Sequence, residues 1–142
     1  MLLIYEGPDG AGKDTLRKAF DRETNYVHTC VVRMFLSNIV YARYYHRKLP
    51  IGYLTMVRKF MHDYVPLIVL VIAEPKVLNA RVMMRGENLA STPLPNKIIQ
   101  FYSEAIGLVG MKQRTVIINT TMDPRMKILV HLINRKIKEL ED

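Results

Sequence analysis

The residues best suited to chemistry lie near the start of the chain. Gly7-Pro8-Asp9-Gly10-Ala11-Gly12-Lys13-Asp14-Thr15 sets two glycines five positions apart and puts a lysine directly after the second. Such glycines let backbone N–H groups turn inward around phosphate oxygens, and the lysine adds a fixed cation. A helix opening at that lysine contributes a partial positive charge of its own. Leu2 to Glu6 is a short apolar run, and Leu16 and Phe20 follow at helical spacing. Strand, glycine loop, lysine and helix therefore stand in the order that phosphate binding requires. Gly7, Gly10, Ala11, Gly12, Lys13, Asp14 and Thr15 read as a triphosphate cradle. Asp14 departs from the pattern, which carries serine or threonine at this position. That hydroxyl normally binds magnesium, and a carboxylate is a stronger oxygen ligand for the same ion. Asp14 and Thr15 are the candidate metal ligands.

Further cations are placed where they could reach an anion. Arg33 closes a predicted strand, and its guanidinium can bond a phosphate through two N–H groups. Arg81 and Arg85 are four residues apart, so both can share one helical face. From Thr24 to His62 there is no acidic residue, yet Arg33, Arg43, Arg47, Lys48, Arg58 and Lys59 lie there. That stretch is either a solvated face or a face turned to a phosphorylated ligand. The formal charge of +8 points to an anionic partner: nucleotide, nucleic acid or acidic membrane. His28, His46, His62 and His131 have no ligand spacing with Cys30, so zinc is not expected. A single cysteine permits no intrachain disulfide, and a reducing, cytoplasmic setting is expected. The longest apolar run, Leu67 to Ala73, is far too short to span a membrane.

Four strands are expected, over 2–6, 26–32, 66–73 and 115–119, the first two buried. Helices are expected over 13–21, over 37–48 with Ser37 as N-cap, and over 53–64, 75–85 and 96–107. Asp123-Pro124 opens a last helix, with Ile128, Leu132, Ile133 and Ile137 as its apolar stripe. Residues 86–95 form a polar surface loop. The alternation predicts a single α/β domain over 1–142, a three-layer sandwich around a mainly parallel, four-stranded sheet. Ligands of such sheets sit at the carboxyl ends of the strands, so Gly7 to Thr15, Arg33 and Glu74 are expected on one rim.

Glu6 to Lys13 resembles the E-G-x-[DE]-G-x-G-K signature of thymidylate kinases and, more broadly, of P-loop nucleoside monophosphate kinases. Arg33-Met34-Phe35-Leu36-Ser37-Asn38-Ile39-Val40-Tyr41 is similar to the family's D-R-[YF]-x-x-S-x-x-[AV]-Y segment. Pro75 to Gly86 resembles the helix that leads into the family's lid, which would cover about 81–95 here. Val116 to Thr121 is similar to the last strand and the turn near the donor adenine. The resemblance implies a P-loop NTPase fold with ATP and magnesium. It gives Lys13, Arg33, Arg81 and Arg85 the catalytic roles, Arg33 holding the acceptor phosphate and the lid arginines neutralising charge during transfer. Asp9 would meet the acceptor sugar, and Asn119 and Thr120 would lie near the adenine. It also implies a homodimer, for which the helices over 37–48 and 53–64 are candidates.

Two departures stand out. Val32 replaces the acid that helps hold magnesium, while Asp14 adds one, as if the carboxylate had changed places. Arg33 follows Lys13 by only 20 residues, so the family's base-contacting segment has no counterpart there. Tyr41, Tyr44, Tyr45, Arg58 and Phe60 are the candidates for the acceptor base. The resulting expectation is an ATP-dependent kinase of a deoxynucleoside monophosphate, dTMP first. The alternatives are a P-loop kinase for another nucleotide, a nucleoside or a polynucleotide 5′ end, and a non-catalytic nucleotide-binding module. A nucleic-acid partner is the less favoured one, and no membrane partner is expected.

Overall fold

The computed structural model describes residues 1–122 and 125–142. The expected helix opening at Asp123-Pro124 lies outside the described residues. Four strands form one sheet: β1 (Leu2–Glu6), β2 (Thr29–Val32), β3 (Leu67–Ile72) and β4 (Thr115–Asn119). All pairings are parallel, in the order β2-β1-β3-β4. Among the described residues six α-helices accompany them: α1 (Lys13–Glu23), α2 (Phe35–Tyr44), α3 (Tyr53–Tyr64), α4 (Pro75–Met84), α5 (Pro95–Leu108) and α6 (Met126–Glu141). The chain is thus a P-loop-type α/β sandwich. Among the described residues no helix is long and apolar enough to cross a membrane.

Strand residues alternate between two apolar layers. Leu3 and Tyr5 of β1 and Leu67, Val69 and Val71 of β3 face α1 and α6. Ile4, Ile68 and Leu70 face α2, α3 and α5. Burial on both faces explains why β1 and β3 read as unbroken apolar runs. The alternation also aims Glu6 into the α2 and α5 layer, since it shares a face with Ile4. β1 is flanked by β2 and β3, whose connections leave in opposite directions, and the crevice above their carboxyl ends is where such folds bind ligands.

Several expectations need correcting. The second strand begins at Thr29 rather than at residue 26, because Asn25 and Tyr26 adopt left-handed φ of 53° and 57° and turn the chain. It is an edge strand and only half-buried. Ser37 is not an N-cap: α2 begins at Phe35, and Ser37 is buried inside its first turn. On α6 the buried stripe is Leu129, Val130, Ile133 and Ile137, whereas Ile128 and Leu132 face solvent. The apolar residues of α2, Leu36, Ile39 and Val40, are buried within the chain.

Candidate functional site

Gly7 leaves β1 with φ 142°, and a Cβ there would lie 2.0 Å from the carbonyl oxygen of Val71. Only glycine permits this approach of β1 to β3, and it is what lets the loop fold back over the strand ends. Gly12 precedes α1 at φ 90° and serves as its N-cap without a side chain. The helix amides at that end are therefore not covered by a capping group. Lys13 is buried, and its Nζ donates to the carbonyls of Gly7 at 2.7 Å and Pro8 at 2.8 Å. Burial, with the nearby Arg33, lowers its pKa to about 8.

Across the loop stands Arg33, whose guanidinium donates to the Asp9 carboxylate. Arg33 itself adopts left-handed φ of 61°, with its amide bonded to the Tyr5 carbonyl at 2.8 Å. Beneath it, fully buried Glu6 accepts from the Met34 amide at 2.7 Å and from Ser37 Oγ at 2.8 Å. Ser37 Oγ lies 3.1 Å from the Tyr102 hydroxyl of α5. Burial pushes the Glu6 pKa up, and these hydrogen bonds oppose the rise. Sequence reading assigned Glu6 no role. The signal was there: a carboxylate ending an otherwise apolar buried strand needs partners.

Arg81 and Arg85 part company. Arg81 donates to the Gly10 carbonyl at 2.9 Å, to Thr120 Oγ1 at 3.0 Å and to the Thr120 carbonyl at 2.5 Å. Thr120 Oγ1 in turn bonds the Ala11 carbonyl at 2.7 Å. These bonds clasp the phosphate loop to the end of β4. Arg85 caps the end of α4 half-exposed and pairs with Glu87 at 3.7 Å. Both line a cleft of about 640 Å³ with Asp9, Lys13, Thr15 and Arg33. A smaller hollow of about 180 Å³ lies behind the loop, bounded by Gly12, Thr15, Thr120 and Met126. Asn119 orders the turn there by accepting from the Thr121 amide at 2.9 Å. Tyr41 lines a small cavity with Asp9, Thr92 and Pro93, so the far end of the expected lid meets Asp9.

Four candidates already have partners within the chain. Both oxygens of Asp14 are in ion pairs, with Arg17 at 2.8 Å and Lys18 at 3.0 Å, on the exposed surface of α1. Its acidity is raised by those partners. Arg58 bonds the Leu108 carbonyl at 2.8 Å, at the end of α5, and does not line the cleft. Phe60 packs edge-on to Phe35 and against Tyr64, as an apolar residue at that end of a helix should. Tyr44 is also committed elsewhere, its hydroxyl accepting from the Leu94 amide. Cys30, on β2, packs against the α1 and α6 layer, and burial pushes its thiol up to about 12. Among the described residues no group of three or more metal-ligating acids, histidines or cysteines forms. The oxygens that line the cleft are Thr15, Asp9 and Asp14. That set suits magnesium, which takes one or two protein ligands and completes its shell with phosphate and water.

No protein-family model matches the chain, and no curated protein matches its sequence. Among solved structures the chain is similar to the YorR protein of Bacillus subtilis, solved in complex with phosphorylated GDP. The two share 20% identity at a TM-score of 0.69, over 99% of this chain and 97% of that one. The likeness is one of fold, and it runs the whole length of both chains.

Proposed function

We propose that this chain is an ATP-dependent nucleoside monophosphate kinase, with dTMP as the first acceptor to consider. The observation that supports it is the single cleft that joins the loop and Lys13 to Arg33. One anion site would hold the donor triphosphate and the other the acceptor phosphate. The donor would lie along the glycine loop and the open end of α1, with its base toward the hollow bounded by Thr120. Lys13 would leave its two carbonyls for the β- and γ-phosphates. Arg33 would trade Asp9 for the acceptor phosphate, freeing the Asp9 carboxylate to accept from a sugar hydroxyl. An acceptor phosphate oxygen then bonds the γ-phosphorus in line as the bond to ADP breaks. Lys13 and Arg85 offset the charge on the transferring group, and positioning does most of the rest. Arg81 serves by holding the loop. Magnesium, when bound, supplies charge neutralisation at the phosphates; Thr15 would hold it.

The acceptor base has one competing assignment. YorR holds a guanine nucleotide, which favours a guanine acceptor as the second reading. Both are tested by incubating the protein with ATP and magnesium against each common NMP and dNMP, with GDP, nucleosides and DNA 5′ ends as controls. Transfer to dTMP above the others supports the first reading, and transfer to a guanine nucleotide the second. ATP binding with no transfer to any acceptor would reject the kinase and leave a binding module.

A further inference from the structure

Glu6 is fully buried, and a carboxyl group inside the sandwich is costly unless it is partnered. Its two bonds are not spread at random. Both go to the segment that follows Arg33: the Met34 amide and the Ser37 hydroxyl. Met34 is the N-cap of α2, and α2 has no side-chain cap from its own sequence. A carboxylate from the neighbouring strand does the capping instead, and its charge suits a helix N-terminus. The residue just before this cap is Arg33, held at φ 61°, a backbone region costly for any residue but glycine. Something must hold it there, and the bonds on both sides do: the Arg33 amide to Tyr5 and the Met34 amide to Glu6. Both anchors belong to β1, directly below the phosphate loop.

We propose that Glu6 is the positioning residue that sets Arg33 for anion binding, with Ser37 and Tyr102 completing the arrangement. The inference rests on the two-site reading of the cleft. Tyr102 brings α5 into the same network through Ser37. α5 begins where the expected lid ends, and Leu94, the residue before it, also bonds Tyr44 of α2. The seat of Arg33 is thus tied to the lid's far anchor at two points.

The test reads Arg33 directly and needs no turnover. The Arg33 Nε–H resonance is followed by NMR while inorganic phosphate is titrated into wild type, Glu6→Gln, Ser37→Ala and Tyr102→Phe. Wild type should show a saturable shift, Glu6→Gln should need about tenfold more phosphate, and the two milder variants about threefold more. The amides of α1 and β3 should stay in place, which reports the fold; if Glu6→Gln does not fold, Ser37→Ala carries the comparison. Equal titrations in wild type and in the folded variants would overturn the proposal, as would an Arg33 signal that phosphate never moves. In parallel, kinase activity of wild type judges the functional reading separately. Where turnover is present, Glu6→Gln should raise KM for the acceptor about tenfold and leave KM for ATP within twofold. In an Arg33→Ala background the same change should add nothing further, because the effect passes through Arg33.

Discussion

The Lys13 ammonium is occupied by two carbonyls of its own loop, so a phosphate must displace them. Bound phosphate favours the charged form of a lysine whose free pKa is lowered to about 8. The sign follows: below about pH 7 the lysine is charged with or without ligand, and affinity for ATP is flat. Above pH 8 the complex must take up a proton, and affinity falls by up to tenfold per pH unit until the pKa of the complex is passed. Calorimetry of ATP binding from about pH 6.5 to 9.5 reads this slope, and Lys13→Arg, always charged, should flatten it. Lys13→Ala should abolish transfer; substantial residual turnover would place the chemistry elsewhere. For magnesium, the ion pairs of Asp14 shift the burden to its neighbour. Thr15→Ala should raise the magnesium needed for half-maximal activity at least tenfold, and Asp14→Asn should change it less than twofold. The reverse order would return Asp14 to the metal. The loop residues were legible because their chemistry is local: glycines, a lysine and a helix start need no distant partner. Arg58 and Phe60 do not line the cleft, and residue type alone could not tell which side of a helix looks at it.

Elements differ in how openly their sequences declare them. α3 and β4 were legible to the residue, the first between Gly52 and Val65, the second as a compact β-branched run. β2 was read three residues too long, since a left-handed pair at Asn25 and Tyr26 leaves no mark in a β-rich stretch. The start of α2 was misread for a different reason. Its cap comes from β1, 28 residues earlier in the chain, and no local pattern records that. Two junctions carry further expectations. At the turn after β1, Gly7→Ala should cost more than about 2 kcal/mol of stability, because the methyl group meets backbone rather than a movable side chain. Thermal melting checks it, and an unchanged melting temperature would mean that β1 and β3 can part at little cost. At the clasp, Arg81→Lys keeps the charge but not the fork that bonds Gly10 and Thr120. ATP affinity should fall about tenfold, with the largest hydrogen-exchange changes over residues 8–12 and 119–121.

Across the whole molecule, the sandwich and its strand number follow from the alternation of apolar runs and amphipathic stretches. What periodicity could not supply is the order β2-β1-β3-β4, which emerges only when the crossovers are built. That order puts the phosphate loop above the two inner strands, β1 and β3, with one strand beyond on each side. Among the described residues, those lining the cleft end or follow β1, β2 and β3. Substitutions along the solvent edge of β4, which supplies no residue to the cleft, should therefore show first as lower resistance to heat and denaturant, and only later as weaker anion binding.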